Sequence, residues 1–191
     1  MQLAAWLRFA DHVASGPGKE VRVRLSVGKK VIYPCQGLCL IGPVVKKIVD
    51  GRPIRFYQLA RLDESGGELF VPVEKAQAIG VRLLLERSEI PKLLDRLKQT
   101  TRTAKHWKQR ANDNLKLFIS GSAFDLAEVV ESLTELSETK ALSRGESWTL
   151  ERARKLLVGE ISEVMGETKG AAEEQVDQAL KARKEEWTRD S

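Results

Sequence analysis

Between residues 27 and 73 the apolar and β-branched positions come in short runs separated by turn signals. "KKVIYP" and "LCLIGPVV" read as strands, "VDGRP" holds an Asp-Gly turn, "IRFYQLARL" alternates, and "DESGG" turns the chain again before "ELFVPV". Four or five antiparallel strands with tight connections predict a small SH3-like or Tudor-like barrel. Prolines 34, 43, 53 and 72 fall at expected strand ends or bends, where a missing backbone donor is tolerated.

The period then changes. After "AIGVRLLLER", Ser88 is the expected N-cap of a helix through "EIPKLLDRLKQ", with Pro91 in its first turn and Ile90, Leu93, Leu94 and Leu97 on one face. "QTTRT" is a polar break, and residues 104–119 predict a second helix ending before Gly121. Ser122 with Asp125 opens a third, repeating Leu126, Val129, Val130, Leu133 and Leu136. Ser143 with Glu146 opens another, whose apolar positions are Trp148, Ala153, Leu156, Leu157 and Ile161. A last amphipathic segment covers about 170–186, with Val176, Ala179 and Leu180. The prediction is an α+β chain in which a small SH3/Tudor-like β-barrel is followed by an all-α helical bundle. Its expected divisions are an N-terminal extension over 1–25, a barrel over 26–86 and a helical domain over 87–186. The extension is read as a short helix or an appended tail, joined through "ASGPGKE".

Charge adds a direction to this picture. The 191 residues carry a formal net charge of +5, distributed as +2 over residues 1–25, +3 over 26–86, +6 over 87–118 and −6 over 119–191. A polyanion contact near 87–118 is one reading, and solvated helix faces are the other. No apolar run approaches the roughly 20 residues that span a bilayer. "MQLAAWLRFADHVASG" lacks the basic start of a secretion signal, so the expected location is cytoplasmic.

Chemistry is sparse. The chain has no G-x-S-x-G elbow, P-loop, H-E-x-x-H or G-x-G-x-x-G, so a binding role rather than an enzyme is expected, with no cofactor. Cys35 and Cys39, two strand positions on one face, suit small buried apolar residues. With only His12 and His106 to join them, no metal site is expected. Lys46, Lys47, Arg52 and Arg55 make the barrel a possible docking surface or a plain solvated one. An aromatic cage for methylated side chains would have to come from Tyr33, Phe56, Tyr57 and Phe70, which alternation scatters over both faces. Trp107 carries the sharpest ambiguity. Trp107, Ala111, Leu115 and Phe118 share one helical face, as core residues do. Yet Trp107 opens its helix among Lys105, Lys108 and Arg110, the combination of apolar wedge and cations found in minor-groove binders. The pattern alone leaves both open.

A resemblance bears on that choice. "VGKKVIYPCQGLCLIGPV" resembles the opening strand pair of the CarD/CdnL transcription regulators, a module shared with transcription-repair coupling factors. "YQLARL", "ELFVPVEKAQAIGVRLL", "HWKQRANDNL", "DLAEVVESL" and "LSRGESWTLERARKLLVGEIS" continue it in order, over roughly residues 26–165. The resemblance implies a Tudor-like domain that binds the β subunit of bacterial RNA polymerase, followed by a helical domain on promoter DNA. It implies that Trp107 wedges into the minor groove at the edge of the transcription bubble and stabilises the open complex without reading sequence. Lys105, Lys108 and Arg110 would support the wedge. Lys47, Leu69, Phe70 and Val71 would meet polymerase. The protein is expected to act as a monomer, away from membranes. Several positions depart from the family pattern. Lys47 and Phe70 stand where some members carry arginine, Gln109 and Asn112 replace residues basic in some relatives, and Gly28-Lys29 replaces Gly-Asp. A polymerase-docking adaptor with little DNA contact is the alternative these departures leave.

Overall fold

In a computed structural model, residues 25–63, 66–99 and 107–189 are described, the last few only as backbone, as are Trp107 and Lys108. The chain divides into two units, one holding residues up to 34 and 38–83, the other 35–37 and 84 onward. The expected extension lies outside the described residues except for Leu25. That residue is buried in the core of the first unit.

The first unit is a five-stranded antiparallel sheet: β1 (Lys30–Tyr33), β2 (Gly37–Val49), β3 (Arg52–Arg61), β4 (Glu68–Pro72) and β5 (Arg82–Leu83), in the order β4-β3-β2-β1-β5. β2 and β3 form one long hairpin whose two-residue loop, Asp50-Gly51, has both residues at positive φ (49° and 76°). That loop matches the right-handed twist of the strands it joins. Register slips by one residue between Ile41 and Val44, because Gly42 and Pro43 together oppose Gln58. A Cβ at position 42 would lie 3.0 Å from the Gln58 carbonyl oxygen, so the bulge needs glycine. Val31, Tyr33, Cys39, Ile41, Leu59 and Val71 form the sheet's core. Cys35 is not a strand residue: it sits in the turn before β2 at φ 60°, and only Cys39 is a buried strand position.

In the second unit a 3-10 turn (Arg87–Glu89) leads into α1 (Ile90–Lys98), followed by α2 (Trp107–Ser120), α3 (Ala123–Thr139), α4 (Arg144–Met165) and α5 (Lys169–Arg189). Ser88 does not cap α1. It lies inside the 3-10 turn, and Glu89 closes the entry by accepting the Glu86 N–H at 2.8 Å. The other two caps form as the spacing predicts. The Ser122 hydroxyl accepts the Asp125 N–H at 3.3 Å. Ser143 and Glu146 bond reciprocally, each side chain accepting the other's N–H. Ile90, Leu93 and Leu97 pack with Leu126, Val130, Leu133, Leu157, Ile161 and Val176 in one core.

Three buried charged residues sit in this core. Arg183 of α5 donates to the Glu131 carboxylate of α3 at 3.0 Å and meets Glu138 at 3.3 Å. Fully buried Glu160 accepts the Leu85 N–H at 3.0 Å, fixing the chain as it enters this unit. Residues 35–37 belong here because Arg152 donates to the Cys35 carbonyl at 2.9 Å and Gly37 lies against Leu156.

Candidate functional site

In the first unit the register of β4 decides what it offers. The Arg61 N–H donates to Gly67 and the Val73 N–H to Arg55, so odd-numbered residues of β4 turn their peptide groups toward β3. Even-numbered Glu68 and Phe70 point theirs away, along the outer edge of the sheet. Side chains divide the same way. Leu69 and Val71 face the core, Val71 at 1% exposure, so Val71 has neither side chain nor peptide group to offer at the edge. Phe70 faces the opposite side, half-buried, and the Lys47 ammonium lies 3.1 Å from its ring centroid. The structure thus joins Lys47 and Phe70 as a cation–π pair and separates them from Leu69 and Val71. Beyond them the β2–β3 hairpin holds Lys46, Arg52 and Arg55 exposed, with Ile48 at 79% exposure.

In the second unit α2 begins at Trp107. The side chains of Trp107 and Lys108, and all of Lys105, lie outside the described residues. The next turns of the helix reveal which of its faces is buried. Ala111 is exposed and Leu115 is 53% exposed, whereas Asn114 and Phe118 are buried. The stripe Trp107–Ala111–Leu115–Phe118 is therefore not a continuous core face. The buried face is rotated onto Arg110, Asn114 and Phe118, so one apolar stripe is turned largely to solvent. Arg110 is half-buried, and its Nε has no hydrogen-bond partner among the described residues. Gln109 donates to Asp113 at 3.1 Å, so the neutral residue in the basic collar is engaged with an acid of its own helix.

Electrostatics tie α2 to the start of α4. The Ser143 hydroxyl donates to Glu146 at 2.7 Å and holds its carboxyl below the usual carboxylate range, helped by the positive charges of Lys140 and Arg110. Burial pushes the Cys39 thiol up to about 11 and raises that of Cys35 despite nearby Arg152, so both stay protonated at neutral pH. Among the described residues no group of His, Cys, Asp and Glu could hold a metal ion, and no helix is long and apolar enough to cross a membrane.

One residue departs from its expected place. Trp148, counted among the apolar positions of α4, is 59% exposed. Its indole stands edge-to-face against Phe118 of α2, centroids 6.0 Å apart at 64°. Helical spacing already sets it apart, because nine residues put Leu157 about half a turn around α4 from it; the contact with α2 shows which neighbour it meets.

Fold and site together define a two-unit chain, a small β module followed by a helical bundle. A family model described as the CarD-like/TRCF RID domain matches residues 25–83, and one described as the CarD C-terminal domain matches residues 92–177. The chain belongs to the CarD family of transcription regulators. It is similar to YdeB of Bacillus subtilis (strain 168), a candidate transcription factor, with 24% identity over 150 residues, 74% of this chain and 93% of that one. It is also similar to the 72-residue N-terminal domain of Myxococcus xanthus CarD, solved by NMR, at 36% identity. That likeness covers 36% of this chain and 91% of that domain with a TM-score of 0.28.

Proposed function

We propose that this CarD-family chain joins the β subunit of RNA polymerase to promoter DNA and prolongs the life of the open complex. The β module meets polymerase along the outer edge of β4 and through the Lys47–Phe70 pair. The helical unit meets DNA through α2, with Trp107 as an apolar wedge and Lys105, Lys108 and Arg110 on neighbouring phosphates. Polymerase supplies the unwinding, and the wedge occupies a step already distorted, where unstacking costs least. Tethering raises the effective concentration of DNA, so a few phosphate contacts suffice. The observation that carries this reading is the exposure of Ala111 and Leu115, which removes the core stripe that would otherwise claim Trp107.

The test is the lifetime of open promoter complexes with Trp107→Ala. The expected result is a normally folded protein, judged by circular dichroism and melting, with normal polymerase binding and a shorter-lived complex. Loss of fold would instead restore Trp107 to the core. For the polymerase arm, Phe70→Pro removes an N–H that faces away from β3 and should leave the sheet intact. Affinity for isolated polymerase β should fall at least about tenfold, because one hydrogen bond and the Lys47–Phe70 pair are lost together. The Gln109–Asp113 bond favours a second reading, an adaptor that docks on polymerase and barely touches DNA. That reading predicts no gain in affinity when a pre-melted promoter fork is added to the polymerase complex.

A further inference from the structure

Trp148 is mostly in solvent and yet braced by a buried neighbour, which makes it a flat, fixed surface. The Trp148 indole is 59% exposed, and Phe118, at 4% exposure, braces it edge-on from α2. Leu115, one turn before Phe118 on α2, is exposed as well. Cations gather at this end of α4. Arg144 lies one turn before Trp148, Lys140 lies just ahead of the helix, and both are exposed with no ion pair among the described residues. Arg110 is near enough for its charge to act on Glu146. Glu146, the acid among them, has its carboxylate committed to the hydroxyl and N–H of Ser143. The result is a flat aromatic surface with open positive charge on its N-terminal side.

Positive charge beside an exposed, braced indole fits an unpaired strand of nucleic acid better than an apolar helix of another protein. A base can stack on the ring while its phosphates reach the cations, and such stacking tolerates any sequence. Continuity with the proposed DNA-binding element points the same way. Positions 107 and 118 of α2 are separated by about 16 Å at 1.5 Å per residue, or about five steps of a strand rising 3.4 Å each. We propose that Trp148 is a second nucleic-acid contact, a stacking platform for a base of a separated strand, with Arg144, Lys140 and Arg110 on the adjoining phosphates. It rests on the reading of the helical unit as DNA-binding, but not on Trp107 acting as a wedge.

The experiment measures binding of the full chain to a labelled oligothymidine and to the same length of duplex by fluorescence anisotropy. Trp148→Ala should weaken single-strand binding about 5- to 100-fold, the range found for removing one stacked base, and leave duplex binding within about twofold. Trp148→Phe should retain most of the affinity. Arg144→Ala, a change at an exposed residue that leaves the indole in place, should weaken both forms and lower the salt dependence by about one phosphate contact. Melting of each variant checks the brace against Phe118. Unchanged single-strand binding in Trp148→Ala overturns the proposal, as does equal loss on single strand and duplex. Loss of polymerase binding with single-strand affinity intact also overturns it, because the patch would then serve a protein. Trp107→Ala in the same series separates the two sites. An unchanged open-complex lifetime in Trp107→Ala, with single-strand binding still lost in Trp148→Ala, would sink the wedge and keep the platform.

Discussion

Helices α1 and α2 carry apolar stripes of the same helical spacing and use them in opposite ways. In α1 the stripe Ile90, Leu93 and Leu97 is core, each residue at 1% exposure or less. In α2 the stripe through Ala111 and Leu115 is exposed, and the face turned inward holds Asn114 and half of Arg110. Periodicity states which residues share a face. It does not state which face a neighbour will cover, and that depends on what packs alongside. α1 packs against α3 and α5, which cover its leucines, whereas α2 rests on α3 and the start of α4 and leaves one flank open. That flank is what the protein can show to a partner.

Paired substitutions test this contrast most strongly. Leu93→Ala should cost about 2–5 kcal/mol, the range for truncating a buried leucine, while Leu115→Ala should fall within about 0.5 kcal/mol. Urea melts of the two variants measure both, and equal costs would mean that α2 buries its stripe after all. A smaller effect sharpens the helix entries. Ser143→Ala should cost about 1 kcal/mol by removing a cap at α4, and Ser88→Ala, inside the turn before α1, well under that. The smallest effect is in pH. Because the Ser143 hydrogen bond lowers the Glu146 pKa in the fold, its stabilisation is complete above the ordinary carboxylate range. That stabilisation disappears as pH falls through the lowered value. Glu146→Gln should therefore lower the melting temperature at neutral pH, with the gap to the natural protein closing in acid.

Much of the fold was legible from local rules. Alternation, the Asp50-Gly51 turn and the caps at Ser122 and Ser143 are each decided within a few residues, and each appears in the structure. What escaped depends on distant partners. Nothing near Glu131 in the sequence marks it as buried; Arg183, 52 residues away, closes over it. Nothing near Glu160 does so either, and its partner is the Leu85 N–H, 75 residues away. Trp148 counts as core by its apolar type, although nine residues put Leu157 on about the opposite side of the helix and α2 meets the indole at one edge. Ser88 is a sound cap by residue type, but a 3-10 turn starts one residue earlier and absorbs it. At the polymerase-facing candidates, alternation along β4 already implies that Leu69 and Val71 oppose Phe70. The approach of Lys47 to that ring spans β3, from β2 to β4, and no local rule encodes it.

The end of β4 has one more consequence. Pro72 has no N–H, and its carbonyl already accepts the Lys75 N–H at 3.0 Å. An incoming strand therefore finds peptide groups at Glu68 and Phe70 and none at 72, while β5, on the opposite edge, is two residues long. Short borders ended by proline are one way in which sheets limit edge-to-edge pairing. In the docking proposed above, Pro72 marks where a strand added to β4 runs out of peptide partners.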